Sequence, residues 1–522
     1  MTDSTVPSRT LTLQARIARA AGQVMLLFVV SRVLGLAREM IIGARFGTSA
    51  ELDAYLAAFR LPDIIFQLAA GGALASAFIP TFTAHLARGD TRSAWRLASA
   101  VVNLVFLLLT AVVVLASVFS GPLVAGVIAP GFSTAQQVLT AELLRGLLIS
   151  TVIFGVSGIV MGILNSYQHF FAPALAPAMY NLGIIAGAWF LAPSHGVRGL
   201  VVGAVSGAAW HLLVQMPALL NRRPRYVLTL GLRLPDVREV GRLMGPRVFG
   251  LAVVQLNFLV NTILASRLPE GSLSALNYGW LLMLLPQGVV AQGIATAAFP
   301  TFAALVAQDR RAEMRATFSA TLRAILFVSI PATVGLFALR IPLTRMLLER
   351  GEFGKTSTAA VAYALAFYAW GLVGHAVVEI AARAFYSLHD TRTPVLIGVG
   401  AMALNILLSL VLMGPLLHGG LALATTIATL VEMVVMLLLL RRRLGGLEER
   451  RLQRAVLRSV LVSGLMAPIL AGLASQLTDV HPALLGSAGI ILGGAFYLLS
   501  MWLLKAEEIP GLLGLLRLRS RS

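Results

Sequence analysis

Apolar runs of the length a bilayer demands, roughly 20 residues, follow one another along nearly the whole chain. They predict spanning helices over 21–46, 51–86, 97–119, 138–165, 174–192 and 198–220. A second set covers 245–266, 274–307, 320–340, 357–387, 394–413 and 419–440, and two more runs lie at 457–475 and 484–504. Polar or Pro/Gly-containing breaks separate them, and the connections are short, so no soluble catalytic domain hangs from the bundle. The expected fold class is an all-α integral membrane protein with about 14 transmembrane helices, six plus six plus two.

The two sets of six repeat one another in sequence. AFIPTFTAHLARGD at 77–90 returns as AFPTFAALVAQDRR at 298–311, so Pro80, Thr81, Phe82, Ala84 and Ala87 recur at Pro300, Thr301, Phe302, Ala304 and Ala307. HFFAPAL around Pro173 answers HDTRTPVL around Pro394, and Gly131–Phe132 answers the loop Gly351–Phe353, at an offset of about 220 residues. That period is far longer than a solenoid's and marks a duplicated half. Because each half holds an even number of spans, both enter the membrane in the same direction, as parallel repeats about an axis along the membrane normal. The expected organisation is an N-terminal lobe over 1–220, an amphipathic cytoplasmic linker over 221–244, a C-terminal lobe over 245–443, and two additional helices with a basic tail over 444–522.

Composition agrees: 58% of residues are hydrophobic, 12% are charged, and the mean hydropathy is +0.86. A soluble domain has nowhere to bury that much apolar surface. The absence of cysteine excludes disulfides, thiolate metal sites and a cysteine nucleophile. The net charge of +19 would point to nucleic acid in a soluble protein. Here the arginines fall mostly in the gaps: Arg88, Arg92 and Arg96 after span two, Arg222 to Arg242 after span six, Arg310 to Arg315 after span eight, and Arg441 to Arg458 after span twelve. With the basic N-terminus and the tail residues Lys505, Arg517, Arg519 and Arg521, this pattern puts both termini in the cytoplasm. The outward loop Arg340 to Lys355 is the basic exception, diluted by Glu349 and Glu352. The polar, basic N-terminus reads as a cytoplasmic lead-in rather than a removed signal peptide. Histidines show no metal-ligand spacing and no phosphate loop precedes a Lys-Ser/Thr pair, so neither metal, cofactor nor ATP hydrolysis is expected.

Charges inside the apolar runs are the candidate chemistry. SRVLGLARE at 31–39 places Arg32, Arg38 and Glu39 within the first span, with Arg45 at its end. Each such charge costs on the order of 2.5–3.5 kcal/mol to insert, so it should face water or a partner. Arg32 and Glu39 share a face, as do Arg38 and Arg45; the alternative is that Arg32 snorkels and Arg45 lies at the outer interface. The second span opens with Asp53, which could simply complement its helix N-terminus, and carries Arg60 seven residues on. Pro62 and the Gly71–Gly72 pair make that span bendable. Glu379 and Arg383 stand one turn apart on span ten, as a self-satisfied pair or as cavity and gating groups. Gln67, Gln255, Asn257, Asn261, Gln287 and Gln292 are uncharged polar groups within spans, and Glu432 is a lone acid. Glycines spaced by four, Gly183–Gly187 and Gly203–Gly207, suit close helix packing.

SRVLGLARE, FGTSAELDAYLAAFRLPD, GGALASAFIPTF, ILNSYQHFFAPALAPAMYN and AFYSLHDTRTPV together resemble the MurJ/MviN family through nearly the whole chain. The resemblance implies a fourteen-helix member of the multidrug/oligosaccharidyl-lipid/polysaccharide exporter superfamily. Its implied role is flipping lipid II, the undecaprenyl-pyrophosphate-linked peptidoglycan precursor, across the bacterial inner membrane. It further implies that Ser31, Arg32, Arg38, Asp53 and Arg60 belong to a pyrophosphate-binding cavity; beside these, the residues themselves offer Glu39 as a cavity group and Gln67, Asn261, Glu379 and Arg383 as candidate cavity or gating residues. Arginine forks suit phosphate oxygens. The chain departs from the family pattern where relatives usually carry arginine after the LPN step, here Phe66–Gln67; where they carry an acid, here Gly71; and early in span eight, here Leu281.

The expected function is therefore lipid II translocation by alternating access, without enzymatic chemistry, driven by membrane potential or an ion gradient. The expected protein is a monomer whose partners are lipid II and membrane lipids, not nucleic acid. Two alternatives stay open: a flippase for another polyprenyl-linked glycan, or a membrane-embedded glycosyltransferase. The loop at 121–137 offers no acidic residue for the latter.

Overall fold

The computed structural model describes residues 7–69, 72–476 and 481–509. Gly71 and the tail arginines Arg517, Arg519 and Arg521 lie outside them. Among the described residues every regular element is a helix and there is no strand. In chain order the long helices are α1 (Pro7–Phe46), α2 (Ala50–Ala69), α3 (Gly72–Ala87), α4 (Thr91–Val118), α5 (Thr134–Ser166), α6 (Phe171–Ala186), α7 (Arg198–Leu213) and α8 (Pro235–Ala265). They continue as α9 (Ser272–Ala307), α10 (Arg311–Ala338), α11 (Lys355–Ser387), α12 (Arg392–Leu444), α13 (Glu449–Gln476) and α14 (Pro482–Leu503).

Among the described residues nine helices are long and apolar enough to cross a membrane by length and composition, or ten if a helix bent within 272–307 counts as one span. The remaining expected spans are helical too. α1 carries its internal charges, the second span is divided between α2 and α3, and α8 is uniformly apolar only over Gln255–Ala265. The 53-residue α12 holds two expected spans, broken at Leu417 (φ 49, ψ −134).

Helix starts follow local chemistry. The Asp90 carboxylate accepts from the Ser93 N–H (3.0 Å) and the Ser133 hydroxyl from the Gln136 N–H (3.3 Å), each satisfying a donor that a helix start leaves open. α8 begins at Pro235, about ten residues earlier than the hydropathy suggested, with Asp236 in its first turn. Asp236 is also paired with His85 (3.0 Å) at the end of α3. The non-helical connector is thus shorter, and it is tied along α4. The Val227 N–H donates to Ser99 Oγ (3.0 Å), Asn103 Nδ2 to the Thr229 carbonyl (2.8 Å), and the Tyr226 hydroxyl to Asn103 Oδ1 (2.7 Å).

Packing divides the chain into two compact units, Met1–Arg267 and Leu268–Ser522. In the first, α5 packs on α2, α4 and α7, α1 and α7 pack on α6, and α8 packs on α2 and α3. The division therefore falls after α8, whereas the sequence repeat begins with it. In the second unit α11 packs on α9, α10 and α12, and α13 and α14 close against α10. A buried Phe82 meets Trp95 edge-on (6.1 Å) in one unit, and a buried Phe302 meets Phe318 (6.0 Å) in the other. The repeated PTF motif thus fills equivalent core positions.

The backbone repeats as well. Left-handed residues pair up at about the sequence offset: Gly89 (φ 73) with Asp309 (φ 54), Gln168 with His389 (both φ 59), and Gly196 (φ 56) with Leu417 (φ 49). α6 and α7 meet through glycine. A Cβ on Gly187 would lie 2.7 Å from the Gly203 Cα, and one on Gly183 would strike Gly207, which gives the small-residue spacing its physical reason.

Leu417 is the strained member of its pair, because Gly196 shares its φ/ψ region (φ 56, ψ −142) and only glycine enters it without steric cost. With its side chain 44% exposed, little packing would be lost on removal. Leu417→Gly is expected to stabilise the protein by about 1 kcal/mol, after allowing for glycine's larger unfolded-state entropy. A thermal melt in detergent checks this: an unchanged or lower midpoint would mean the break carries no strain.

Candidate functional site

Within the first unit, the charges of α1 gather around Arg38. Its Nε and Nη2 both donate to Glu39 Oε1 (3.1 and 2.5 Å), and its Nη1 donates to Asn181 Oδ1 (3.1 Å) on α6. Asn181 Nδ2 in turn donates to the Ser31 carbonyl (3.1 Å). The phenols of Tyr55 and Tyr180 lie within electrostatic reach of the guanidinium. The Tyr180 hydroxyl is enclosed and has no hydrogen-bond partner. Arg38 and Glu39 are adjacent in sequence and so leave the helix in different directions; the guanidinium has to fold back to be held. Arg32 is exposed, beside exposed Phe28, Val29 and Val33. Arg45 is also exposed, 6.0 Å over the Trp189 ring.

Arg60 forms a second station on α2. Its Nε donates to Thr262 Oγ1 (3.2 Å) on α8, its guanidinium lies 5.3 Å over the Phe258 ring, and Asp63 stands one turn on. Gln67 hydrogen-bonds Asp63, and both are half-buried. Asp53 is buried (2% exposed) in the first turn of α2, where Ser49 Oγ accepts from the Leu52 N–H (3.2 Å). On α8, the side-chain carbonyl oxygens of Gln255, Asn257 and Asn261 are enclosed without a protein partner.

Phe66, at the first missing arginine, is committed to an aromatic row: Phe66 to Phe154 (5.2 Å), then Phe154 to Tyr180 (4.8 Å, edge-on). That row ends beside Arg38. Leu281, at the other missing arginine, is half-buried in the second unit.

The second unit carries the pair foreseen on span ten. Arg383 Nη2 donates to Glu379 Oε1 (2.7 Å) and Nη1 to Thr296 Oγ1 (2.7 Å) on α9. Tyr386 lies within reach of both Glu379 and Glu432. No group of three or more His, Cys, Asp or Glu suited to a metal is found among the described residues.

Sequence reasoning singled out neither Asn181, Asp63, Tyr180 nor Thr262. For Asn181 the available signal was an amide in the middle of the apolar run 171–191; for Asp63, an acid three residues after Arg60.

These observations define a class first: a multi-pass helical membrane protein built from a duplicated bundle. A multidrug-resistance MATE transporter of the MOP superfamily in an inward-facing conformation shares this fold. Its TM-score is 0.67 over 80% of this chain and 96% of that one, at 16% identity. The family model for lipid II flippase MurJ matches residues 42–486, and the chain belongs to that family of inner-membrane proteins. Ser31 to Glu39 precede the matched stretch. A lipid II flippase MurJ of Burkholderia cenocepacia is 31% identical over 425 residues, covering 80% of this chain and 82% of the relative. A probable lipid II flippase MurJ of Vibrio cholerae serotype O1 is 30% identical over 439 residues, covering 81% and 83%. A solved lipid II flippase MurJ in an inward closed conformation superposes with a TM-score of 0.79 at 25% identity, over 93% of this chain and 99% of that one.

The Arg60–Thr262 bond ties α2 to α8 and is testable by a double-mutant cycle. Arg60→Met and Thr262→Val are expected to couple by about 1 kcal/mol in unfolding free energy. Strictly additive losses would show that the two side chains do not interact.

Proposed function

We propose that this protein moves lipid II from the cytoplasmic to the outer leaflet of the bacterial inner membrane by alternating access, with no covalent step. The observation that carries the reading is Arg38. A guanidinium inside the first span has five N–H groups, and Glu39 and Asn181 engage three of them. One N–H on each terminal nitrogen is left for phosphate oxygens, the ligand an arginine fork fits best. Arg60 is a further cation within the apolar spans of this unit, and Arg32, exposed on α1, is another.

The anionic head group meets Arg38 while the polyprenyl tail remains in lipid. Membrane potential or an ion gradient supplies direction: two negative charges crossing 100 mV involve roughly 2 × 2.3 kcal/mol. Both termini are cytoplasmic and the working unit is a monomer in this reading. A flippase for a different polyprenyl-linked glycan is the second reading, favoured by Phe66 and Leu281, which leave fewer cations than the family pattern.

Depleting a bacterium of its own flippase and supplying this protein tests the proposal. Wild type is expected to restore growth, while Arg38→Ala restores it at least about tenfold less efficiently, the loss of one charge-assisted hydrogen-bonded contact. Equal rescue by both would remove Arg38 from the mechanism. No rescue by well-expressed wild type, with transport of another polyprenyl glycan in vesicles, would favour the second reading.

A further inference from the structure

We infer that Asn181 is a positioning residue for the head-group site: it fixes the plane of the Arg38 guanidinium so that its two remaining N–H groups are presented to a diphosphate. The inference rests on the flippase reading above. Asn181 is 8% exposed on α6, a helix packed along α1. A buried amide that served packing alone would be a costly choice in an apolar span, and here both ends of the amide are used. Oδ1 accepts from Arg38 Nη1 (3.1 Å) and Nδ2 donates to the Ser31 carbonyl (3.1 Å).

These two contacts also decide which end of the amide is oxygen. The reverse orientation would set an NH₂ group against a guanidinium N–H and a carbonyl against a carbonyl. Ser31 and Arg38 are seven residues apart and share a face of α1. The Arg38 side chain runs back along that face toward the helix N-terminus, so one amide meets both groups beside Gly35, where a Cβ would lie 3.7 Å from Nδ2. The Ser31 contact fixes the amide to a helix backbone, which does not rotate, and the amide fixes Nη1. Glu39 holds the opposite edge of the guanidinium through Nε and Nη2.

Held at Glu39 alone, the planar group would keep its charge but swing about that edge. Held at both, it has a set direction. Asn181 thus contributes orientation and Arg38 contributes charge, and the two contributions separate by substitution. Lysine at position 38 keeps the charge but has no plane to orient.

The experiment measures binding of undecaprenyl pyrophosphate to the full-length protein in nanodiscs. Wild type, Asn181→Leu, Arg38→Lys and the double variant are compared, with melting temperatures recorded alongside. Asn181→Leu is expected to weaken binding about tenfold in the arginine background, the order of one hydrogen bond to a charged group. In the lysine background it should change binding less than about twofold. An equal loss in both backgrounds would mean that Asn181 acts only through helix packing, and no loss in either would mean it plays no part; both outcomes overturn the inference. Should Asn181→Leu fail to assemble, Asn181→Thr runs the same cycle. Failure of wild type itself to bind the probe would instead strike the flippase reading, from which the inference descends.

Discussion

A guanidinium inside a membrane-spanning helix has to be satisfied, and the hydrogen bonds that join α1 to α6 follow from that requirement at Arg38. An ionised group in hydrocarbon is tolerated only with a counter-charge and hydrogen-bond acceptors at hand. Glu39 supplies the charge, Asn181 the second acceptor, and the Ser31 carbonyl anchors the amide. The aromatic row from Phe66 through Phe154 to Tyr180 approaches the same place from α2, α5 and α6. It gives the charge an apolar surrounding in which each contact is stronger than in water.

Other arginines act differently. In the second unit several on α10 and at the end of α12 close the junctions between helices. Arg443 pairs with Asp390 (2.8 Å), Arg441 with Glu449 (2.8 Å) and Arg323 with Glu448 (3.0 Å), while Arg315 donates to the Gly445 carbonyl (3.1 Å). Asp390 also accepts from the Thr393 N–H and hydroxyl, so its carboxyl is held below the usual carboxylate range, chiefly by those bonds and then by Arg443. The exposed pairs are each worth little; together they fix where α11, α12 and α13 meet.

Duplication was legible because its marks are chemical as well as conformational. The PTF motif recurs because a phenylalanine must fill the same core position twice, and the turns recur because the chain must reverse at the same places. One copy kept a glycine at 196 while the other tolerates Leu417 in nearly the same backbone geometry. Hydropathy could not see this, since φ is invisible to it. Nor could it foresee that α8, the first helix of the second repeat, packs against α2 and α3.

Hydrophobic runs and charge placement determined the spans and the presence of cations where lipid would not accept them, while recurring motifs marked the duplication and a set of motifs carried the family resemblance. Those properties depend on neighbours close in sequence and on transfer free energies that add along the chain. Which cation is held, and by what, was decided only by tertiary structure. Asn181 is 143 residues from Arg38 and Thr262 is 202 from Arg60. A hydrogen bond over that separation exists only once helix packing has brought the two side chains together.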